Sequence, residues 1–224
     1  MPLEKTSGEE DLQTMRYLAL GDSYTIGESV AEDERWPNQL AALITSSPQF
    51  AKPIGGTERG MEVTIIARTG WTTDELWQSI QAAKPEPPYD LVSLLIGVNN
   101  QYRGYDINEY REQFVFLLNK SIEYAGGDPN RVIVLSIPDW GVTPFAASRD
   151  RGQIGKEINA FNLVNRAESE KAGVHYVDVT PGSREATDDI SLVASDGLHP
   201  SGKMYSEWAR LAYPEALKVL EISK

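Results

Sequence analysis

Cysteine is absent from the 224-residue chain, which excludes disulfides, thiolate nucleophiles and cysteine-ligated metals. A count of zero says nothing about redox compartment. Histidine is scarce as well: His175 and His199 are the only two, in different sequence settings, and give little basis for a metal cluster. Neither a metal nor another cofactor is expected. Basic residues are outnumbered, 21 Lys and Arg against 33 Asp and Glu, for a net charge of −12 and a pI near 4.7. Nucleic acid and anionic membrane both demand a basic face, so neither is expected as the main partner. No apolar stretch approaches the ~20 residues of a membrane span, and no secretory h-region opens the chain. Integral membrane contact is therefore not expected. A soluble protein is, with the cytoplasm and export after signal removal both left open. Oligomeric state leaves no sign in the sequence.

What is present is ordinary for a soluble globular enzyme, with 41% hydrophobic and 24% charged residues. The length suits one sizeable domain. Residues Met1 to Thr14 are polar and acidic and read as a loose arm, leaving 15–224 as the single domain. Along it, strand and helix signals alternate. Apolar Tyr17 to Leu20 reads as a buried strand ending at Gly21, whose freedom suits a tight turn. Trp36 to Ile44 has helical spacing, and Pro53 to Gly60 is a Gly/Pro-rich connection. Met61 to Ala67 is a β-branched second strand, and Thr72 with Glu75 opens a helix through Ala83. Leu91 to Ile96, the most apolar strand, is expected at the sheet centre. A long helix from Asp106 stops at Gly126-Gly127, and Val132 to Leu135 is the fourth strand. A helix carrying Ile154, Ile158 and Phe161 ends at Gly173, Val174 to Val179 is the fifth strand, and a last helix from Ser201 is interrupted or kinked at Pro214. This alternation implies a parallel sheet with helices on both faces, and a site beyond the carboxyl ends of the strands.

Several strand ends carry chemistry. Gly21-Asp22-Ser23 places a hydroxyl directly after the first strand; Gly70, Asn99 and the Pro138-Asp139-Trp140-Gly141 loop follow later strands. Asp196 precedes His199 by three residues, a spacing that lets a carboxylate reach back to an imidazole. Each has a bland alternative. Gly-Asp-Ser can be a turn capping the next helix, Asp196 a loop-closing Asx turn, and Gly70 a plain strand–helix joint. Trp71 and Trp140 are candidates for a sugar or acyl pocket, or simple packing, and Arg103 is a further substrate candidate. His175 sits inside the fifth strand and reads as structural.

Taken together, Gly21-Asp22-Ser23-Tyr24-Thr25, Gly70, Gly97-Val98-Asn99-Asn100 and Asp196-Gly197-Leu198-His199-Pro200 resemble the blocks of an SGNH hydrolase of the GDSL esterase/lipase superfamily, in that family's order and over nearly the whole chain. The resemblance implies an α/β fold, a flavodoxin-like three-layer α/β/α sandwich with a five-stranded parallel sheet. It implies Ser23 as nucleophile, His199 as base and Asp196 as the acid that orients it. The oxyanion hole would be the backbone N–H groups of Ser23 and Gly70 with the Asn99 amide. Two departures stand out: Arg68-Thr69-Gly70-Trp71 lacks the asparagine the family often has before that glycine, and Asn100 replaces a common aspartate. Both bear on the hydrogen bonds that hold the oxyanion loops.

The expected activity is hydrolysis of carboxylic esters, small acetyl or short-chain, with carbohydrate as one acceptor class. The alternatives are a lysophospholipase or thioesterase on the same machinery and a non-catalytic binding module. No amphipathic lid or basic membrane-facing helix supports the lipid reading, and fold alone would not require a full set of catalytic groups. An α/β-hydrolase is rejected, because its G-x-S-x-G elbow would need a glycine where Thr25 stands.

Overall fold

The computed structural model describes residues 13–48, 50 and 59–220. In chain order the main elements are β1 (Gln13–Asp22), α1 (Ser23–Ile26), α2 (Trp36–Thr45), β2 (Arg59–Arg68), α3 (Thr73–Ala83), β3 (Leu91–Leu95), α4 (Val98–Tyr102), α5 (Ile107–Tyr124), β4 (Val132–Leu135), α6 (Arg151–Ala172), β5 (His175–Val177), α7 (Thr180–Arg184) and α8 (Gly202–Val219). Short 3-10 turns, among them Trp140–Val142 and Pro144–Ala146, fill the connections. The five strands form one parallel sheet in the order β2-β1-β3-β4-β5, with β3 at its centre as its composition predicts.

The apolar runs explain this arrangement. Tyr17 to Leu20 and all of β3 and β4 are buried, as strands covered on both faces must be. α2 and α8 pack together on one face; α3, α5 and α6 cover the other. Helix starts follow their caps: Asp106 accepts the N–H groups of Asn108 and Glu109, and Thr72 with Glu75 closes a capping box. After β1 the chain moves out to β2, then crosses back to β3 on the far side. The order reverses between β1 and β3, and the crevice beyond their carboxyl ends is the place such sheets offer a ligand.

Several boundaries differ from the sequence reading. β1 starts at Gln13, so Gln13 and Thr14, assigned above to the arm, begin the sheet; residues 1–12 lie outside the described residues. Of the Pro53–Gly60 connection, Arg59 and Gly60 belong to β2 and residues 53–58 lie outside the described residues. β5 ends at Val177 rather than Val179. The Ser136 hydroxyl accepts the N–H groups of Val179 (2.8 Å) and Thr180 (3.0 Å), turning the backbone out of the sheet and into α7. α8 runs on through Pro214 without interruption. Gly21 lies inside β1, not in a turn, and its requirement is space: a Cβ there would sit 2.5 Å from the Leu95 carbonyl and strike Thr25.

Candidate active site

β1 ends in Asp22, and Ser23 is the first residue of α1. The Asp22 carboxylate caps that turn, Oδ1 accepting the Tyr24 N–H at 3.0 Å. The bland capping reading of this segment is thus correct for Asp22, while the same turn places Ser23 at the crevice. Asp22 is buried, and its Oδ2 has no hydrogen-bond partner among the described residues. Loss of hydration pushes its carboxyl up to about 7, against the downward pull of the Tyr24 N–H.

Beside it lies a cavity of about 200 Å³, lined by Ser23, Tyr24, Thr69, Gly70, Val98, Asn99, Tyr102, Trp140, Phe145, Leu198 and His199. The structure therefore brings Ser23, Gly70, Asn99, Trp140 and His199 to one cleft. Asp196 stands behind His199. Its Oδ2 is 2.6 Å from His199 Nδ1, and its Oδ1 accepts the N–H groups of Leu198 and His199, each at 2.9 Å. One carboxylate oxygen closes an Asx turn and the other lies against the imidazole. Burial works against the Asp196 charge, but the His199 ring, the two N–H groups and the Ser29 hydroxyl outweigh it and hold the carboxyl well below the usual range. The Tyr24 ring packs on the imidazole at a centroid distance of 5.5 Å.

Asn99 reaches the cleft because the chain reverses at Gly97. That residue adopts φ +126°, and a Cβ there would strike the Tyr110 ring. The Asn99 Nδ2 donates one hydrogen to the Trp71 carbonyl at 2.9 Å. An amide carries two N–H donors, so this bond fixes the side chain and leaves the second hydrogen for the cleft. Gly70, at φ +89°, turns the neighbouring loop. Arg103 donates to the Gly70 carbonyl at 2.6 Å and pairs with Glu75 at 3.2 Å. Arg103 is therefore a brace on this loop, not a residue of the cleft lining.

Trp71 does not line the cleft, contrary to the pocket assignment above. It is half-buried against the core, and its contribution is the backbone carbonyl that holds Asn99. Trp140 does line it: its Nε1 donates to Gln101 Oε1 at 2.8 Å, and its ring meets those of Tyr102 and Phe145 edge-on. Tyr102 and Phe145, 47% and 46% exposed, form the rim, and neither was singled out from the sequence. His175 is remote, at the start of β5, with Nδ1 2.8 Å from Glu215 Oε2. Among the described residues no cluster of three or more metal-ligating side chains occurs. No helix of the described residues is long and apolar enough to cross a membrane.

The family model of GDSL-like lipases and acylhydrolases matches residues 19–206, and the chain belongs to that family. It is accordingly a carboxylic ester hydrolase. No curated protein matched the chain in sequence. Solved structures of similar fold include a G-D-S-L family lipolytic protein from Veillonella parvula DSM 2008, at 19% identity and TM-score 0.65, over 92% of this chain and 98% of that one. An esterase from Pseudoalteromonas sp. follows at 16% identity and TM-score 0.64, over 92% and 98%. An acetylxylan esterase from Geobacillus stearothermophilus, in a catalytic mutant form, gives 17% identity and TM-score 0.62, over 94% and 96%. At these identities the likeness is one of fold.

Proposed function

We propose that the protein hydrolyses small acetyl or short-chain acyl esters, carbohydrate esters among them, through an acyl-enzyme on Ser23. The observation that carries this is the Asp196–His199 pair, closed at 2.6 Å, with the imidazole facing the cleft that Ser23, Gly70 and Asn99 share. A Nδ1–H donated to Asp196 makes Nε2 the free acceptor. Nε2 takes the Ser23 hydroxyl proton as Oγ bonds to the carbonyl carbon, and the carbonyl π pair moves to oxygen. That oxyanion is met by the N–H groups of Ser23 and Gly70 and the second Asn99 hydrogen. When the tetrahedral intermediate collapses, the ester C–O bond breaks and the alcohol leaves with the proton from Nε2. Water then repeats the sequence on the acyl-enzyme, releasing the acid and restoring Ser23.

Two features support the substrate class. A cavity of about 200 Å³ is small beside the roughly 300–1,000 Å³ of drug-sized pockets, which favours a short acyl group over a lipid chain. The exposed Tyr102 and Phe145 rings at the rim offer apolar surface to a sugar or other alcohol moiety. Rates on nitrophenyl esters of increasing chain length, beside acetylated xylo-oligosaccharides and acyl thioesters, test the class. Acetyl esters should be fastest. A maximum at long chains or at thioesters would transfer the assignment to the lysophospholipase or thioesterase alternative. A fluorophosphonate should label the wild type and spare Ser23→Ala; equal labelling would end the nucleophile assignment.

A further inference from the structure

We infer that Ser29 is a positioning residue for the acid–base pair, mounted on a turn that also braces the oxyanion loop. This rests on the reading of Asp196 and His199 given above.

Ser29 is exposed, yet its backbone is at φ +66°, a left-handed conformation that a residue with a Cβ adopts only when its surroundings require it. The requirement is visible on the Asp196 side. Ser29 Oγ donates to Asp196 Oδ2 at 2.8 Å, the same oxygen that faces His199 Nδ1. That oxygen therefore has two partners, and with Oδ1 held by two backbone N–H groups the carboxylate is fixed at both ends. A carboxylate so held cannot rotate about its Cβ–Cγ bond, and the imidazole it anchors keeps one orientation towards Ser23.

The turn carrying Ser29 is itself anchored. The N–H groups of Gly27 and Glu28 both donate to the Ser23 carbonyl, the latter at 3.0 Å. On the other flank Glu28 Oε2 accepts the hydroxyl of Thr69, the residue before Gly70. Residues 27–29 thus touch the backbone of the nucleophile, the acid behind the base, and the loop holding Gly70. Ser29 is not among the residues that line the cleft, so its hydroxyl acts through Asp196.

The left-handed backbone supplies a clean test. Ser29→Gly deletes the hydroxyl while keeping a residue suited to φ +66°, so Tm should stay within about 3 °C of wild type. Its kcat should nonetheless fall about 3- to 30-fold with KM within about twofold, as expected for losing a hydrogen bond to an ionised group. Ser29→Thr restores the hydroxyl but places a β-branched residue in the left-handed region, which is disfavoured. It should be less stable than Ser29→Gly and several-fold more active. This crossover of stability and turnover is what a purely structural serine would not produce. Wild-type kcat in Ser29→Gly, or losses in both variants that simply follow Tm, would overturn the inference. Fluorophosphonate labelling of the wild type, lost in Ser23→Ala, shows separately whether the underlying catalytic reading holds.

Discussion

Asn100 engages Thr73 twice: its Oδ1 accepts the Thr73 N–H at 3.1 Å and its Nδ2 donates to Thr73 Oγ1 at 2.7 Å. The pair joins α4, which carries Asn99, to the start of α3, which follows the Gly70 loop. Since Thr73 Oγ1 accepts from the amide, its own hydrogen is free to donate to Gln113 on α5. Asn100 and Thr73, both buried, thus form a neutral hydrogen-bonded pair that Gln113, half-buried on α5, extends.

Removing that circuit should be costly. In Asn100→Ala the Thr73 N–H is left buried without an acceptor, for a loss of about 1–3 kcal/mol. The loops carrying Gly70 and Asn99 would both loosen, and kcat should fall with the stability. Asn100→Asp keeps an acceptor for the N–H, and the Thr73 hydroxyl can turn towards it at the expense of Gln113. It should fold and retain kcat within a few-fold near neutral pH. Thermal melts and kcat for the two variants decide this; equal damage from both would show that shape, not the Thr73 bonds, is what matters.

Asp22 should make the protein less stable as pH rises. Its carboxyl is raised by burial from 3.8 to about 7 in the folded state, so between those values the folded chain holds a proton that the unfolded chain has lost. Stability then declines with increasing pH across that window and levels off above it, at up to about 1.4 kcal/mol per pKa unit. Asn in its place keeps an oxygen for the Tyr24 N–H and cannot ionise. The stability of Asp22→Asn relative to wild type should therefore climb between pH ~4 and ~7. A difference independent of pH would mean that Asp22 titrates normally. Asp196 has the opposite sign, its depressed carboxyl contributing stability that is lost on acidification, so the comparison must be made variant against wild type at each pH.

The sheet and the long helices were legible because their signals are local. Leu91–Leu95 has no polar interruption but Ser93, and Asp106, Thr72 and Gly173 mark helix ends by side-chain or backbone chemistry. Helices of four or five residues, such as α1 and α4, have no periodicity to read, although they carry Ser23 and Asn99. Position after a strand told which rim a residue occupies but not which way it turns. Trp140 faces the cleft, while Trp71, also just past a strand, faces the core. The Ser29–Asp196 contact spans 167 residues, and nothing local in either segment announces it.

Asn99 should prove to be a transition-state donor whose geometry depends on Trp71. One amide hydrogen is committed to the Trp71 carbonyl at 2.9 Å, so the side chain is immobilised before substrate arrives. A donor fixed in advance and aimed at a developing oxyanion stabilises the transition state more than the neutral ester. Asn99→Ala should therefore lower kcat by about a hundredfold or more and leave KM within a few-fold. The same substitution also frees the Trp71 carbonyl, for a stability loss of about 1 kcal/mol, or roughly 2–4 °C in Tm. The two effects separate on one preparation, because a fall in Tm that small leaves the enzyme folded at assay temperature. If the variant melted a few degrees early with near-normal kcat, Asn99 would be a tie between two loops and nothing more. A large loss of kcat in a folded variant would assign the second hydrogen to the oxyanion.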